Sequence, residues 1–340
     1  MPPPKAFRQV IGAGAKETTF GVALLNDATT LVDMFTVKEA DFADLEITYR
    51  SDDDEINGFI GPTTYQEESR NGSIARKYNA SPETIGWALA MMSGVVTSSG
   101  TTPNYTHVIK DRSVCTINPP SFAMIEALVC AGSTGTYWGY KGCVIDQITI
   151  EVNGKGKVQL TITIKHDGTE TAKASFVWPS TFAAVNGLSG AHLTLKCGAA
   201  GTEDLTSLVR NFKITRSAGI VEPPSIGGVA VVEYQYGANN PNLEVEFTIK
   251  ADKSHALYTA MQSGLATGTP TNQILDALLQ VNVNRSVRLQ CSKGIVNANI
   301  KASGNETNLV VKYLAEHNST DAGAGTFTVK NGQASYLNAA

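Results

Sequence analysis

Between Gly142 and Lys165 the chain alternates apolar and polar residues with a period of two, and no other feature narrows the fold as much. Val144, Ile148, Ile150 and Val152 fall in one phase, with Gln147, Thr149 and Glu151 in the other. After Asn153-Gly154-Lys155-Gly156, Val158, Leu160, Ile162 and Ile164 alternate with Gln159, Thr161, Thr163 and Lys165. Period two on both sides of an Asn-Gly turn specifies a β-hairpin with one buried face. Its other face carries hydroxyls and amides with few charges, which suits a surface that is wetted or meets a partner. Leu243 to Ile249 repeats the pattern, with Leu243, Val245, Phe247 and Ile249 inward and Glu244, Glu246 and Thr248 outward.

Helical signals are few. Ser81-Pro82-Glu83 is a capping start with Pro in the first turn, and the pattern it opens stops at Gly94. A second helix is predicted over 253–263, capped by Asp252 and stopped at Gly264, with Leu257, Ala260 and Met261 forming its apolar stripe. A weaker third pattern runs from Asn272 to Leu279.

Four markers recur in the same order at an offset near half the chain length. Ala90-Met91-Met92-Ser93-Gly94 matches Ala260-Met261-Gln262-Ser263-Gly264, and Lys141-Gly142-Cys143-Val144 matches Lys293-Gly294-Ile295-Val296. Leu45-Glu46-Ile47-Thr48-Tyr49-Arg50 resembles Phe212-Lys213-Ile214-Thr215-Arg216, and a strand precedes each helix. The second hairpin runs through Val296, Ala298, Ile300 and Ala302, turns at Ser303-Gly304-Asn305-Glu306, and returns through Leu309, Val311 and Tyr313. The 340 residues therefore divide into an N-terminal arm (1–40), a first module (41–170), a connecting segment (171–204) and a second module (205–340). The expected fold is mainly β: two tandem modules, each a two-sheet β-sandwich or half-barrel with one flanking helix. Long strands left at open edges aggregate unless paired, so neighbouring subunits are expected to complete the sheets.

Composition excludes several function classes. Only 17% of residues are charged and the net charge is −4, so no basic field exists to hold nucleic acid. No apolar run approaches the ~20 residues of a membrane span, and no secretory leader is expected behind Met1-Pro2-Pro3-Pro4-Lys5. Cys115, Cys130, Cys143, Cys197 and Cys291 contain no C-x-x-C pair and read as structural thiols, so a metal site is not expected. His107, His166, His192, His255 and His317 are scattered. Asp52-Asp53-Asp54-Glu55-Ile56-Asn57-Gly58 imitates a calcium loop, but its twelfth position is Thr64, which lacks the bidentate carboxylate; it reads as a solvated loop. Gly12-Ala13-Gly14 lacks the third glycine of a dinucleotide fingerprint. No catalytic constellation and no cofactor motif emerges, and an enzyme is not expected.

Several segments together resemble the tail tube (major tail) proteins of tailed bacteriophages, in the long class whose tube module is duplicated. They are Glu17-Thr18-Thr19-Phe20-Gly21, the strand-loop-strand from Leu45 to Tyr65, Ser81 to Gly94, Asn104-Tyr105-Thr106-His107, and Tyr137 to Val144 leading into the hairpin. His107 and Trp138 read there as packing residues. The resemblance implies a structural virion protein whose rings stack into a hollow tube, the conduit for DNA ejection. Six modules make a ring, so a duplicated chain implies a trimer with pseudo-sixfold symmetry; a hexamer is the alternative. It further implies, as partners, the tape-measure protein in the channel and tail terminator and baseplate or distal tail proteins at the ends. DNA passes without specific binding, no membrane is involved, and the tail assembles in the bacterial host cytoplasm.

Duplex DNA carries about one charge per 1.7 Å, so a basic lumen would retain it, whereas Thr, Gln, Ser and acids let it slide. The candidate lumen residues are Gln147, Thr149, Glu151, Gln159, Thr161 and Thr163, with Glu244, Glu246, Asn297 and Asn299 in the second module. The outside of the tube is the alternative place for these faces, and Lys165, Lys301 and Lys312 complicate a neutral channel. Asp52, Asp53, Asp54 and Glu55 are the candidate inter-ring loop, and Pro2 to Lys16 a candidate inter-ring arm. The competing readings are an extracellular carbohydrate-binding β-sandwich and another virion protein, decorating or capsid-associated.

Overall fold

The computed structural model describes residues 8–22, 31–36, 44–51, 65–111, 118–129, 136–173, 187–223, 231, 233–237, 242–250, 255–303 and 306–337. Within them the chain is mainly β. In order, the first strands are β1 (Arg8–Lys16), β2 (Leu31–Thr36), β3 (Asp44–Ser51) and β4 (Tyr65–Asn79), followed by helix α1 (Pro82–Ser93). Then come β5 (Val96–Thr101), β6 (Asn104–Ile109), β7 (Phe122–Val129), β8 (Thr136–Asn153), β9 (Gln159–His166), β10 (Glu170–Lys173) and β11 (Leu193–Gly198). The rest are β12 (Val209–Ser217), β13 (Ile220–Val221), β14 (Gln235–Tyr236), β15 (Asn242–Lys250), helix α2 (Ala256–Thr267), β16 (Ile274–Asn282), β17 (Arg285–Cys291), β18 (Gly294–Ser303), β19 (Glu306–Ala315) and β20 (Thr326–Asn331).

Eight antiparallel strands form the body of the larger sheet in the order β3-β4-β9-β8-β12-β15-β19-β18. The first four and the last four follow one connectivity rule. Within each group the first strand pairs with the second, the second with the fourth in sequence, and the fourth with the third. In each group a helix follows the second strand and packs on the strand that ends the group, α1 on β8 and α2 on β18. The long β8 is shared: its second half lies between β9 and β12, while its first half lies between β10 and β7. Strands β1 and β2 extend that branch, so part of the segment 1–40 is sheet. The second sheet runs β11-β16-β17-β20-β6-β5, which places part of 171–204 beside β16. Both sheets feed one core, as the Arg216 guanidinium of β12 over the Phe327 ring of β20 illustrates. Two sheets face to face with inward apolar alternation make a β-sandwich.

The hairpin read from the sequence is β8-β9. Ile148, Ile150, Leu160 and Ile162 are buried, with Thr149 opposite Thr161 on the other face. Its one irregularity is a bulge at Asp146, whose carbonyl accepts from the Ala218 N–H at 2.7 Å and whose carboxylate accepts from the Ile220 N–H at 3.1 Å.

Helix α1 also follows its sequence signals. Ser81 and Thr84 form a capping box, and Gly94 closes the helix in the left-handed region. All its residues except Glu83 are buried, because it lies between β8 on one side and β6, β17 and β20 on the other. Helix α2 departs from expectation. It spans Ala256–Thr267 with His255 as N-cap, and Asp252 lies outside the described residues. Gly264 does not stop it: a Cβ there would come within 3.1 Å of Pro270 Cα, so this glycine permits close packing inside the helix. The stop is Gly268, at φ +69°. The third helical pattern, 272–279, is instead part of β16, where Leu275, Ala277 and Leu279 are buried on alternate positions between β11 and β17. Its Leu- and Ala-rich composition favours a helix locally, and two flanking strands override that preference.

Candidate functional site

Among the described residues no cluster of reactive side chains stands out, and the surface that does is the outer face of the eight-stranded sheet. Cross-strand register fixes which residues share it. Gln159 lies opposite Glu151, Thr161 opposite Thr149, and Thr163 opposite Gln147. Across the junction, Glu151 meets Lys213, Thr149 meets Thr215, and Gln147 meets Ser217. Lys213 and Thr215 in turn oppose Glu246 and Glu244. Glu246 faces Lys312, which faces Asn297, and Asn299 lies in the same phase of β18. All ten residues expected on one functional face therefore lie on one face of one sheet, on four of its strands, β8, β9, β15 and β18.

The strand in the middle, β12, entered the sequence reading only as the counterpart of Leu45 to Arg50, and none of its residues was placed on this face. The alternation of Asn211, Lys213, Thr215 and Ser217 with buried Phe212, Ile214 and Arg216 was available as a signal, but the pairing of β12 with β8 was not. On the same face β4 contributes Lys77 opposite Thr161 and Asn79 opposite Gln159.

The charges on this face are mixed, and two of its lysines are ion-paired. Lys312 Nζ lies 2.7 Å from the Glu244 carboxylate. Lys165 Nζ lies 3.4 Å from Asp146 and donates to the Ile220 carbonyl at 3.0 Å. Lys213 sits between Glu151 and Glu246 in the ladder. Lys301 is exposed at the end of β18. Exposed pairs of this kind contribute only about 0–1 kcal/mol each to stability, but they cancel the local field that attracts a polyanion.

Among the described residues no strand lies beyond β3 on one side of the sheet or beyond β18 on the other. Among the described residues β3 has only β4 as strand partner, and β18 only β19. On the outer side of β18 the Ala298 N–H is held by Met261 Sδ at 3.1 Å, a weak acceptor. Beside it, α2 and β18 enclose an apolar groove of about 370 Å³ lined by Ala260, Met261, Leu265, Ile295 and Val296. Leu265 is 71% exposed. The β3-β4 ladder slides past the rest of the sheet: β9 covers residues 72–79 of β4, whereas β3 covers 65–73. Residues 65–71 thus project about 20 Å beyond β9 at ~3.4 Å per residue. Asp52, Asp53, Asp54 and Glu55 belong to the connection of this hairpin and lie outside the described residues.

The other polar side chains singled out from the sequence serve packing. The Cys143, Cys197 and Cys291 thiols are buried and unpaired, and burial pushes Cys197 up to about 12, far from thiolate chemistry. His107 bridges Ser98 Oγ and the Gln333 carbonyl, both at 2.8 Å, under the Tyr336 ring. Burial lowers the pKa of His107, and burial pushes that of His166 down to about 4. The His166 ring covers Gly72, where a Cβ would come within 1.9 Å of it. Among the described residues no three His, Cys, Asp or Glu are grouped to hold a metal ion, and no helix is long and apolar enough to cross a membrane. No family model matches the chain, and no curated protein matches it.

Proposed function

We propose that the chain is a structural virion protein that assembles into stacked rings forming the hollow tail tube of a bacteriophage. The observation that carries this reading is the polar face running from β4 to β18 of an eight-stranded sheet whose outermost strands, β3 and β18, each have one strand partner among the described residues. Such a sheet is an unfinished object: its edges present backbone donors and acceptors that another chain can use. Head-to-tail pairing of unlike edges makes a closed ring when the rotation between copies closes. The recurrence of one four-stranded connectivity supports reading 41–170 and 205–340 as two copies of a tube module, so that three chains supply six modules. The resemblance of the sequence to long tail tube proteins points the same way.

In this reading the Thr-, Gln- and Asn-bearing face lines the channel. Its lysines are interleaved with Glu151, Glu244 and Glu246, so it offers DNA no sustained row of cations, and each unneutralised phosphate contact it avoids removes a source of retention. The tape-measure protein occupies the same channel before ejection, and the tail terminator and baseplate proteins cap the tube. The projecting β3-β4 hairpin, with Asp52 to Glu55 in its connection, is the segment proposed to reach the next ring.

Negative-stain electron microscopy of the purified chain tests the proposal. Hollow tubes or stacked rings are expected; a chain that stays monomeric at high concentration rejects it. A carbohydrate-binding sandwich is distinguished by the same preparation, which would then be monodisperse and retained on a glycan array.

A further inference from the structure

We propose that the two open sides of the main sheet are complements: β18 of one chain pairs antiparallel with β3 of a second copy, in the register that β8 and β12 keep within one chain. This rests on the self-assembly proposed above and adds to it which strands meet and which residues face each other.

The register follows from the two ladders. Align them where the helix-preceding strands end, Asn79 with Lys250. Asn79 faces Gln159, which faces Glu151; Lys250 faces Asn308, which faces Lys301. Ile148, opposite Ile162, then corresponds to Ala298, opposite Val311. Arg216, opposite Leu243, corresponds to Leu45, opposite Gly72. Inside the chain Ile148 faces Arg216, Gln147 faces Ser217, and Thr149 faces Thr215. The copies at the open sides are Ala298 facing Leu45, Asn297 facing Glu46, and Asn299 facing Asp44.

The sequence agrees with the phase of that register, and the surroundings of α2 agree with a partner on β18. The sequence pattern matches across it, an apolar pair flanked by two polar pairs, whereas a slip of one residue would set Ala298 against an acid. Among the described residues the end of the second strand group also lacks the cover that the first one has. On α1, Trp87 packs edge-to-face on Phe122 at 5.1 Å, and the Tyr336 ring lies where a Cβ on Gly86 would stand. Around α2, the corresponding space beside β18 is the open apolar groove with Leu265 at its rim. A second copy seated on β18 closes that groove and replaces the Met261 sulfur with a backbone carbonyl as acceptor for Ala298.

Cysteine cross-linking of the full chain reads the register. Because the Ala298 N–H points away from β19, Ala298 is the hydrogen-bonding residue of the outer edge and Asn297 belongs to a non-hydrogen-bonded pair. The Cα atoms of such pairs lie ~4.5 Å apart, within disulfide reach. Asn297→Cys with Glu46→Cys in one chain should give, after mild oxidation, a ladder of covalent oligomers ending at the closed ring. Each single variant should stay monomeric on a denaturing gel. An equimolar mixture of the two single variants should stop at the dimer, because the contact joins unlike edges. Asn297→Cys with Thr48→Cys, two positions off register, should give no ladder. Rings that form but cross-link only through the off-register pair, or through neither pair, overturn the proposed joint and leave the self-assembly reading standing. A chain that never leaves the monomer overturns both.

Discussion

The buried ion pair between Arg76 and Glu126 permits a quantitative test of how the first strand group holds its extra strand. Arg76 on β4 is 4% exposed and Glu126 on β7 is fully buried, with 3.1 Å between guanidinium and carboxylate. The Tyr140 hydroxyl donates to the second carboxylate oxygen at 3.1 Å. Removing one partner strands the other charge in the core, so Arg76→Met should cost about 3–5 kcal/mol of folding stability. Removing both costs far less. In the second ladder the residue corresponding to Arg76 is Phe247, which does the same packing with no charge. Arg76→Met combined with Glu126→Leu should therefore recover most of the loss, to within about 1–2 kcal/mol of the wild type. Urea denaturation at pH 7 and low protein concentration measures all three chains. A loss below about 1 kcal/mol for Arg76→Met, or a double variant no more stable than it, would refute the argument that the pair is desolvated and mutually dependent.

Three further outcomes follow from the same structure. His166 is held neutral by burial, with its pKa near 4 against about 6.5 when free, so the unfolded chain takes up the proton first. Stability should fall by up to about 3 kcal/mol as pH drops from about 6.5 to 4, offset in part by Asp167, whose pKa burial raises; melting curves across that range check it, and a flat profile contradicts it. Ala298→Pro removes an N–H that β19 does not use, so monomer melting should change little while sedimentation shows assembly abolished. Thr149→Lys with Thr161→Lys places cations on the polar face without touching an edge; tubes should still form but retain DNA in a salt-dependent manner, and no gain in retention would put that face on the outside.

What the sequence carried was local. The β8-β9 hairpin and α1 announced themselves because alternation, the Asn-Gly turn, Ser81 and Gly94 all act over a few residues. The ten polar positions could be read strand by strand for the same reason. Their union on one face depends on β12 pairing with β8, a contact between distant segments that leaves no periodic trace. The end of α2 was misread because Gly264 and Gly268 look alike in sequence, and only packing against Pro270 tells them apart. The 272–279 pattern reads as helix until β11 and β17 flank it. The sequence markers of a repeat matched Gly94 with Gly264 and Leu45 with Phe212, and the structure does not keep those matches: the helix caps are Gly94 and Gly268, and the strand pairings that set Asn79 against Lys250 set Leu45 against Arg216.

The central claim is that this chain is one part of a ring whose sheet closes through other copies of itself. Electron microscopy of the purified protein tests it most directly. Hollow tubes or stacked rings with six repeating units around each ring, contributed by three chains, are expected. Particles that remain single chains at every concentration would contradict it.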